Sequence, residues 1–153
     1  MQGKVEYLHS TPRSFLPMRA FPELRLIPDV GIEGDRYATQ SGFYSDRPEP
    51  GRQVTLFEVE TLEALSRDHN IALDASEHRR NITTRDIALN HLVGVAFRVG
   101  DVLLEGTRLA TPCRHIEQIT GQEIFTVLMH RCGLHARIVQ GGTIRVGDMV
   151  ERI

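Results

Sequence analysis

Phe97-Arg98-Val99-Gly100-Asp101-Val102-Leu103-Leu104-Glu105 reads as two short strands joined at a Gly-Asp turn, and that reading decides the fold. The pattern returns near the end of the sequence as Arg145-Val146-Gly147-Asp148-Met149-Val150. The repeat is too short for a duplicated domain. It fits one turn type used twice in a closed or strongly curved sheet. Working outward, further strands are expected over Lys4 to His9, over Glu23 to Ile27 and through Ile87. Leu134 to Val139 alternates, Gly141-Gly142 offers a two-residue hairpin turn, and Thr143 to Val146 is expected to return beside it.

Three stretches read as helical. Val54-Thr55-Leu56-Phe57-Glu58 starts the clearest: Thr55 and Glu58 form a T-x-x-E capping box, Leu56, Val59, Leu62 and Leu65 recur every third residue, and Asn70 terminates it. Its role is core packing. A second helix begins at Thr111-Pro112 and ends by Gly121. A third runs from Gln122 to about Cys132, with Ile124, Phe125, Val127, Leu128 and Cys132 on its apolar side and Gly133 as terminator. Asn90 caps a short turn through Leu92 and Val93 to Gly94. Strands outnumber helices, so the fold class is mainly β with a few helices (α+β), a β-barrel-like core with helices packed on it, in a single domain over residues 1–153.

Composition is that of a globular protein, and the net charge of -2 gives no reason to expect nucleic acid or an anionic membrane as partner. Lys4 is the sole lysine among 18 basic residues, so any anion site must be built from arginine, whose planar fork suits phosphate. Two cysteines are too few for a disulfide scaffold, the N-terminus lacks the apolar run of a signal peptide, and no segment approaches the ~20 apolar residues of a membrane helix. These features are expected of a cytoplasmic protein with reduced thiols.

The chemistry concentrates at Thr111-Pro112-Cys113-Arg114-His115. Thr111 is a good N-cap and Pro112 suits the first helical position, which sets Cys113 among unpaired N–H groups at the positive end of a helix dipole, where a thiolate is favoured. Cys132 falls at a helix C-terminus on an apolar face, so it reads as a buried core thiol. The mixed pairs Cys113-x-His115 and Cys132-x-x-His135 fit structural zinc spacing poorly. Three other stretches carry polar groups. Gly31-Ile32-Glu33-Gly34-Asp35-Arg36-Tyr37 is a tight loop, readable as a close backbone approach or as a plain turn with an ion pair. Residues 39–53 lack periodicity, and Phe43, Tyr44, Arg47 and Arg52 would equip a lid there for stacking and anion binding. Glu77-His78-Arg79-Arg80-Asn81-Ile82 sets two arginines and an amide before a strand, to hold a phosphate or pterin edge or as a solvated charge pair.

Taken in order, Gly31-Ile32-Glu33-Gly34-Asp35-Arg36, Arg52-Gln53-Val54-Thr55-Leu56, Arg79-Arg80-Asn81-Ile82, Leu92-Val93-Gly94, Phe97-Arg98-Val99-Gly100-Asp101 and Pro112-Cys113 resemble the MOSC domain, named for the C-terminal domain of molybdenum cofactor sulfurase. The chain is similar to the small stand-alone bacterial members, from about Gly31 to Val150. The resemblance implies a MOSC-like β-barrel and one central cysteine, Cys113, acting as a molybdenum ligand or as a persulfide sulfur carrier. It implies the molybdenum cofactor (molybdopterin), with Arg80 and Asn81 as cofactor contacts and Asp35, Arg36 and Arg52 lining the same pocket. Tyr37 stands where many members have His. In the oxidoreductase version the protein reduces N-hydroxylated compounds with an external electron-transfer protein. In the alternative, a non-enzymatic carrier takes sulfur from a pyridoxal-phosphate cysteine desulfurase for metal–sulfur cluster assembly. A third reading is a small-molecule binding domain with an inert Cys113.

Overall fold

The computed structural model describes residues 2–13, 16–38, 50–112, 117–118, 121 and 124–153. Its strands are β1 (Gln2–Ser10), β2 (Arg19–Ala20), β3 (Glu23–Ile27), β4 (Gly31–Ile32), β5 (Val54–Glu58), β6 (Ile82–Arg85), β7 (Ala96–Val99), β8 (Val102–Leu109), β9 (Leu134–Gln140), β10 (Gly142–Arg145) and β11 (Met149–Arg152). The order β11-β7-β8-β9-β5-β6-β1 closes on itself because β1 also pairs with β11, which gives a seven-stranded barrel. Its pairings are antiparallel except β5–β6, which run parallel and are joined through helix α1 (Val59–His69). Closure leaves no free edge in this sheet.

One side-chain set fills the barrel. Leu8, Leu56, Ile82, Phe97, Leu104 and Leu134 are at most 1% exposed and belong to one apolar cluster. Each such side chain contributes about 1.5–3 kcal/mol relative to exposure. Alternate residues of β5 face the other way: Phe57 joins Leu65, Leu73, Ile124, Leu128 and Cys132 in a second cluster beneath α1. The 3-10 turn Leu89–Leu92 drops Leu89 and Leu92 into the first cluster.

The Gly100 hairpin joins β7 to β8 as expected, with Ala96 opposite Glu105. The Gly147 turn meets it, since the Gly100 N–H donates to the Met149 carbonyl at 2.9 Å. Four expectations need correction. Val54–Glu58 is a strand rather than the first turn of a helix, which begins at Val59. Both faces of β5 are covered, so its apolar run lacks the alternation that marks a half-exposed strand. The Thr55 hydroxyl bonds Asn81 instead of capping α1, whose N-cap position, Glu58, makes no side-chain cap. At the far end Asn70 is the terminator, in left-handed backbone at φ 54°.

Second, β10 pairs with β3, in register Gly142 to Leu26, rather than folding back on β9; Gly141-Gly142 therefore passes the chain to a separate three-stranded sheet, β10-β3-β4. Third, residues 124–131 are successive turns, not a regular α-helix: Leu128 N–H reaches the Ile124 carbonyl, but Met129 and Arg131 reach back only three residues. The apolar side is nonetheless right, since Ile124, Leu128 and Cys132 are buried. Asn90 sits inside the 3-10 turn rather than at its cap. Of the helix expected from Thr111, residues 117–118 are helical and Gly121 N–H bonds the Glu117 carbonyl at 2.8 Å. Cys113, Arg114 and His115, like the lid residues Phe43, Tyr44 and Arg47, lie outside the described residues.

Candidate functional site

A belt of polar residues crosses four neighbouring strands at one level of the barrel. The His9 N–H donates to the Asn81 carbonyl at 2.8 Å, the Asn81 N–H donates to the Thr55 carbonyl at 3.1 Å, and Thr55 pairs across β5–β9 with His135, which pairs with Arg108 on β8. The Asn81 side chain fastens this belt. Its Oδ1 accepts from Thr55 N (3.2 Å) and Thr55 Oγ1 (3.0 Å); its Nδ2 faces the His9 carbonyl (3.2 Å) and Asp35 Oδ1 (3.3 Å). All four of these residues are buried.

Asp35 arrives through the Gly31–Gly34 loop. Gly34 takes φ 81°, a conformation that glycine adopts without steric cost, and the turn closes with Asp35 N–H on the Ile32 carbonyl at 3.0 Å. Asp35 Oδ1 also accepts from Thr11 N at 3.1 Å. Arg36 lies beside it, with Nη1 3.4 Å from Asp35 Oδ1 and Nη2 donating to the Arg79 carbonyl at 2.8 Å. The tight-loop motif therefore serves an interior polar cluster and not a surface ion pair.

The sequence offers Arg79 and Arg80 together as phosphate-holding candidates, and the resemblance carries only Arg80 of the two into the pocket. Arg79 is 2% exposed, and its backbone is held at φ 67°, a conformation that costs a non-glycine residue about 1–3 kcal/mol and recurs at functional sites. Its Nη1 donates to the Leu16 carbonyl. Nε and Nη2, which share the other edge of the guanidinium, are buried without a hydrogen-bond partner. That edge is the two-donor fork that grips a carboxylate or phosphate bidentately. Burial lowers the Arg79 pKa to about 10, with Arg36 lowering it further and Asp35 opposing, so the group stays cationic at neutral pH. Asp35 lies 3.4 Å from Arg36 and acts on Arg79 through its charge, and the buried Arg79 fork still lacks the hydrogen-bond partner that an anion would supply.

Arg80 faces elsewhere. Its Nε donates to the Cys132 carbonyl at 3.1 Å and its Nη2 to Cys132 Sγ at 3.2 Å, so its own fork is taken. His78 holds the Arg79-Arg80 turn: the Arg80 N–H donates to His78 Nδ1 at 2.9 Å, which leaves Nε2 as the proton-bearing nitrogen, 2.8 Å from Thr83 Oγ1. Its ring stacks on Phe57 with centroids 4.2 Å apart. Burial, then the Arg80 charge, keeps the His78 pKa well below 6.5. His135 is lowered to about 3 by burial and by Arg80, Arg108 and Arg52 in turn. Burial also lowers His9, which Asp74 partly offsets. The belt therefore carries neutral imidazoles among arginines.

Of the site residues expected from sequence, Asp35, Arg36 and Asn81 gather at one cluster together with Arg79. Arg52 and Arg80 lie near enough to His135 for their charges to lower its pKa. Cys113 lies outside the described residues; the chain leading to it passes Ala110, whose N–H donates to the Gly133 carbonyl at 2.8 Å. His9 and Thr11 carried no sequence signal, while His78 and His135 stood only in the Glu77–Ile82 run and in the poorly spaced Cys132-x-x-His135 pair. Arg79 did carry one, in the Arg79-Arg80-Asn81 run, but nothing in the sequence tells which arginine turns inward. Among the described residues no helix is long and apolar enough to cross a membrane, and no group of three His, Cys, Asp or Glu is arranged to hold a metal ion.

The fold has solved counterparts. The YuaD protein from Bacillus subtilis superposes with a TM-score of 0.81 at 16% identity, covering 99% of this chain and 96% of that one. YiiM from Escherichia coli gives 0.72 at 17% identity over 100% of this chain and 70% of that one, and YiiM from Geobacillus stearothermophilus gives 0.73 at 11% over 99% and 75%. No curated protein matches the chain in sequence. The family model of the MOSC domain matches residues 44–151, most of the barrel together with the Arg79-Arg80-Asn81 run, and the chain belongs to the MOSC domain family.

Proposed function

We propose that this MOSC protein binds the molybdenum cofactor, with its phosphate on Arg79 and Cys113 as the thiol that ligates molybdenum or carries sulfur as a persulfide. The observation that carries the reading is the unpartnered Nε–Nη2 fork of Arg79, buried beside Arg36 and Asp35. A terminal phosphate supplies two acceptor oxygens at the spacing of that fork and a negative charge to meet the guanidinium. Asn81 and Asp35 fix the cluster's shape, and Arg36 braces the Arg79 backbone through its carbonyl. Arg80 is assigned a supporting role, because Cys132 occupies its fork. Cys113 follows Pro112 directly, and a thiolate at the helix start expected from the sequence suits both soft-metal ligation and persulfide formation.

In the enzymatic form the bound cofactor supplies two-electron reduction of N-hydroxylated compounds, with electrons from a separate electron-transfer protein. In the carrier form, sulfur comes from a cysteine desulfurase.

Protein purified from a host that makes molybdopterin should contain both pterin and molybdenum. The Cys113→Ser variant should retain the pterin and lose molybdenum. Absence of pterin from the wild-type protein refutes cofactor binding. A single added sulfur on Cys113 after incubation with a desulfurase, in protein free of pterin, moves the assignment to the carrier form.

A further inference from the structure

A cleft lies at the other end of β5 and shares no residue with the Asp35–Arg79 cluster. It has a volume of about 160 Å³ and is lined by Glu58, Thr61, Asn90, His130, Arg131 and Gly133. A single water needs only about 10–15 Å³, so the cleft admits a molecule of several non-hydrogen atoms. It forms where the first turn of α1, the 3-10 turn Leu89–Leu92 and the 124–133 segment meet. The Asn90 Nδ2 group fixes one wall by donating to the His130 carbonyl at 3.1 Å.

The polar groups around this cleft are only partly engaged within the chain. Thr61 is 3% exposed and lines the cleft. Glu58 uses Oε2 to accept the Leu89 N–H at 3.0 Å, which leaves Oε1 for another donor. Arg131 faces the same space and lowers the Glu58 pKa through its charge, yet no ion pair joins the two. Burial pushes the Glu58 carboxyl upward, so a cationic partner there would restore its ionised form. Opposite charges on the walls of one cleft, out of direct contact, suit a molecule bearing both charges. A bare metal ion does not fit, since the described residues offer no three-ligand set.

We infer that this cleft binds a small zwitterion of the α-amino acid type, its ammonium on Glu58 Oε1 and the Thr61 hydroxyl and its carboxylate on Arg131. The ammonium supplies three donors, the carboxylate takes the planar guanidinium, and the neutral pair enters without leaving a buried charge unbalanced. The inference is independent of what binds at Arg79.

The test is a titration of the full chain, labelled with 15N, with glycine, L-serine, ethylammonium and acetate in turn, following the amide signals of Thr61, Leu89 and Arg131. Glycine or serine should produce saturable shifts at these amides, with ethylammonium and acetate at least ~10-fold weaker, a difference of about 1.4 kcal/mol. Arg131→Ala, at an exposed position, and Glu58→Gln, which keeps an acceptor for the Leu89 N–H, should each weaken binding ~10-fold or more. The inference is overturned if neither amino acid saturates, if acetate or ethylammonium alone binds as well, or if both variants bind like the wild type.

Discussion

Truncating Asn81 to alanine removes the one side chain that ties β1, β5 and the Asp35 loop together. Four contacts vanish: two to Thr55, one to the His9 carbonyl and one to Asp35 Oδ1. Two of the stranded partners keep others. The Thr55 hydroxyl still receives the residue-81 backbone N–H, and Asp35 Oδ1 still accepts from Thr11 N. The Thr55 N–H and the His9 carbonyl are left buried and unpaired, at about 1–3 kcal/mol each. With partial water entry the expected loss is about 2–4 kcal/mol, or roughly 5–15 °C in Tm for a chain of this size. Urea unfolding followed by circular dichroism measures it. The Asn81→Asp variant sharpens the test, because it keeps the acceptor for Thr55 but sets a second carboxylate 3.3 Å from Asp35 Oδ1. Like charges at that distance favour sharing one proton, so N81D should be more destabilised at pH 8 than at pH 5 relative to wild type. A loss below about 0.5 kcal/mol for N81A, within the range of ordinary surface changes, would refute the claim that this amide organises the site.

Three further outcomes follow from the same geometry. His9, His78 and His135 all have folded-state pKa values below 6.5, so the unfolded chain binds more protons as pH falls; stability present above pH 6.5 is lost below it, by up to about 1.4 kcal/mol per pH unit for each group. Denaturant midpoints between pH 7 and pH 4 should show this decline, and a flat profile would contradict it. The His135 imidazole should remain neutral from pH 8 to pH 5 by NMR, and Arg80→Ala should raise its pKa from about 3, since Arg80 is the largest of the charges acting on it. Gly133→Ala should cost about 2–4 kcal/mol in thermal unfolding, because Gly133 takes φ 100° and an added Cβ would strike the Leu56 carbonyl, a backbone atom that cannot step aside; a wild-type Tm would contradict that.

The barrel was legible in the sequence wherever a strand carries its own turn. The Gly100-Asp101 hairpin and the alternation of Leu134 to Val139 are local signals, and both strands stand where expected. β5 misled because a strand covered on both faces shows the same continuous apolar run as a helix start, and Thr55 and Glu58 happen to fall at capping-box spacing. The destination of β10 was invisible: Gly141-Gly142 suits a hairpin, but long-range pairing with β3 prevails. The candidate site divides the same way. Asp35, Arg36 and Asn81 were legible because motif order marks them. Arg79 was obscured by its neighbour, since the choice of which arginine turns inward rests on a left-handed φ and on His78 capturing the Arg80 N–H.

The central claim is that Arg79 holds the phosphate of a bound molybdenum cofactor, and pterin content per chain tests it most directly. Wild-type protein and Arg79→Gln, purified side by side from a molybdopterin-making host, should differ sharply. The account predicts about one pterin per wild-type chain and at least a ~10-fold loss of affinity in the variant, whose amide cannot present two parallel donors. Wild-type protein without pterin, or an Arg79→Gln variant that retains it fully, would contradict the account.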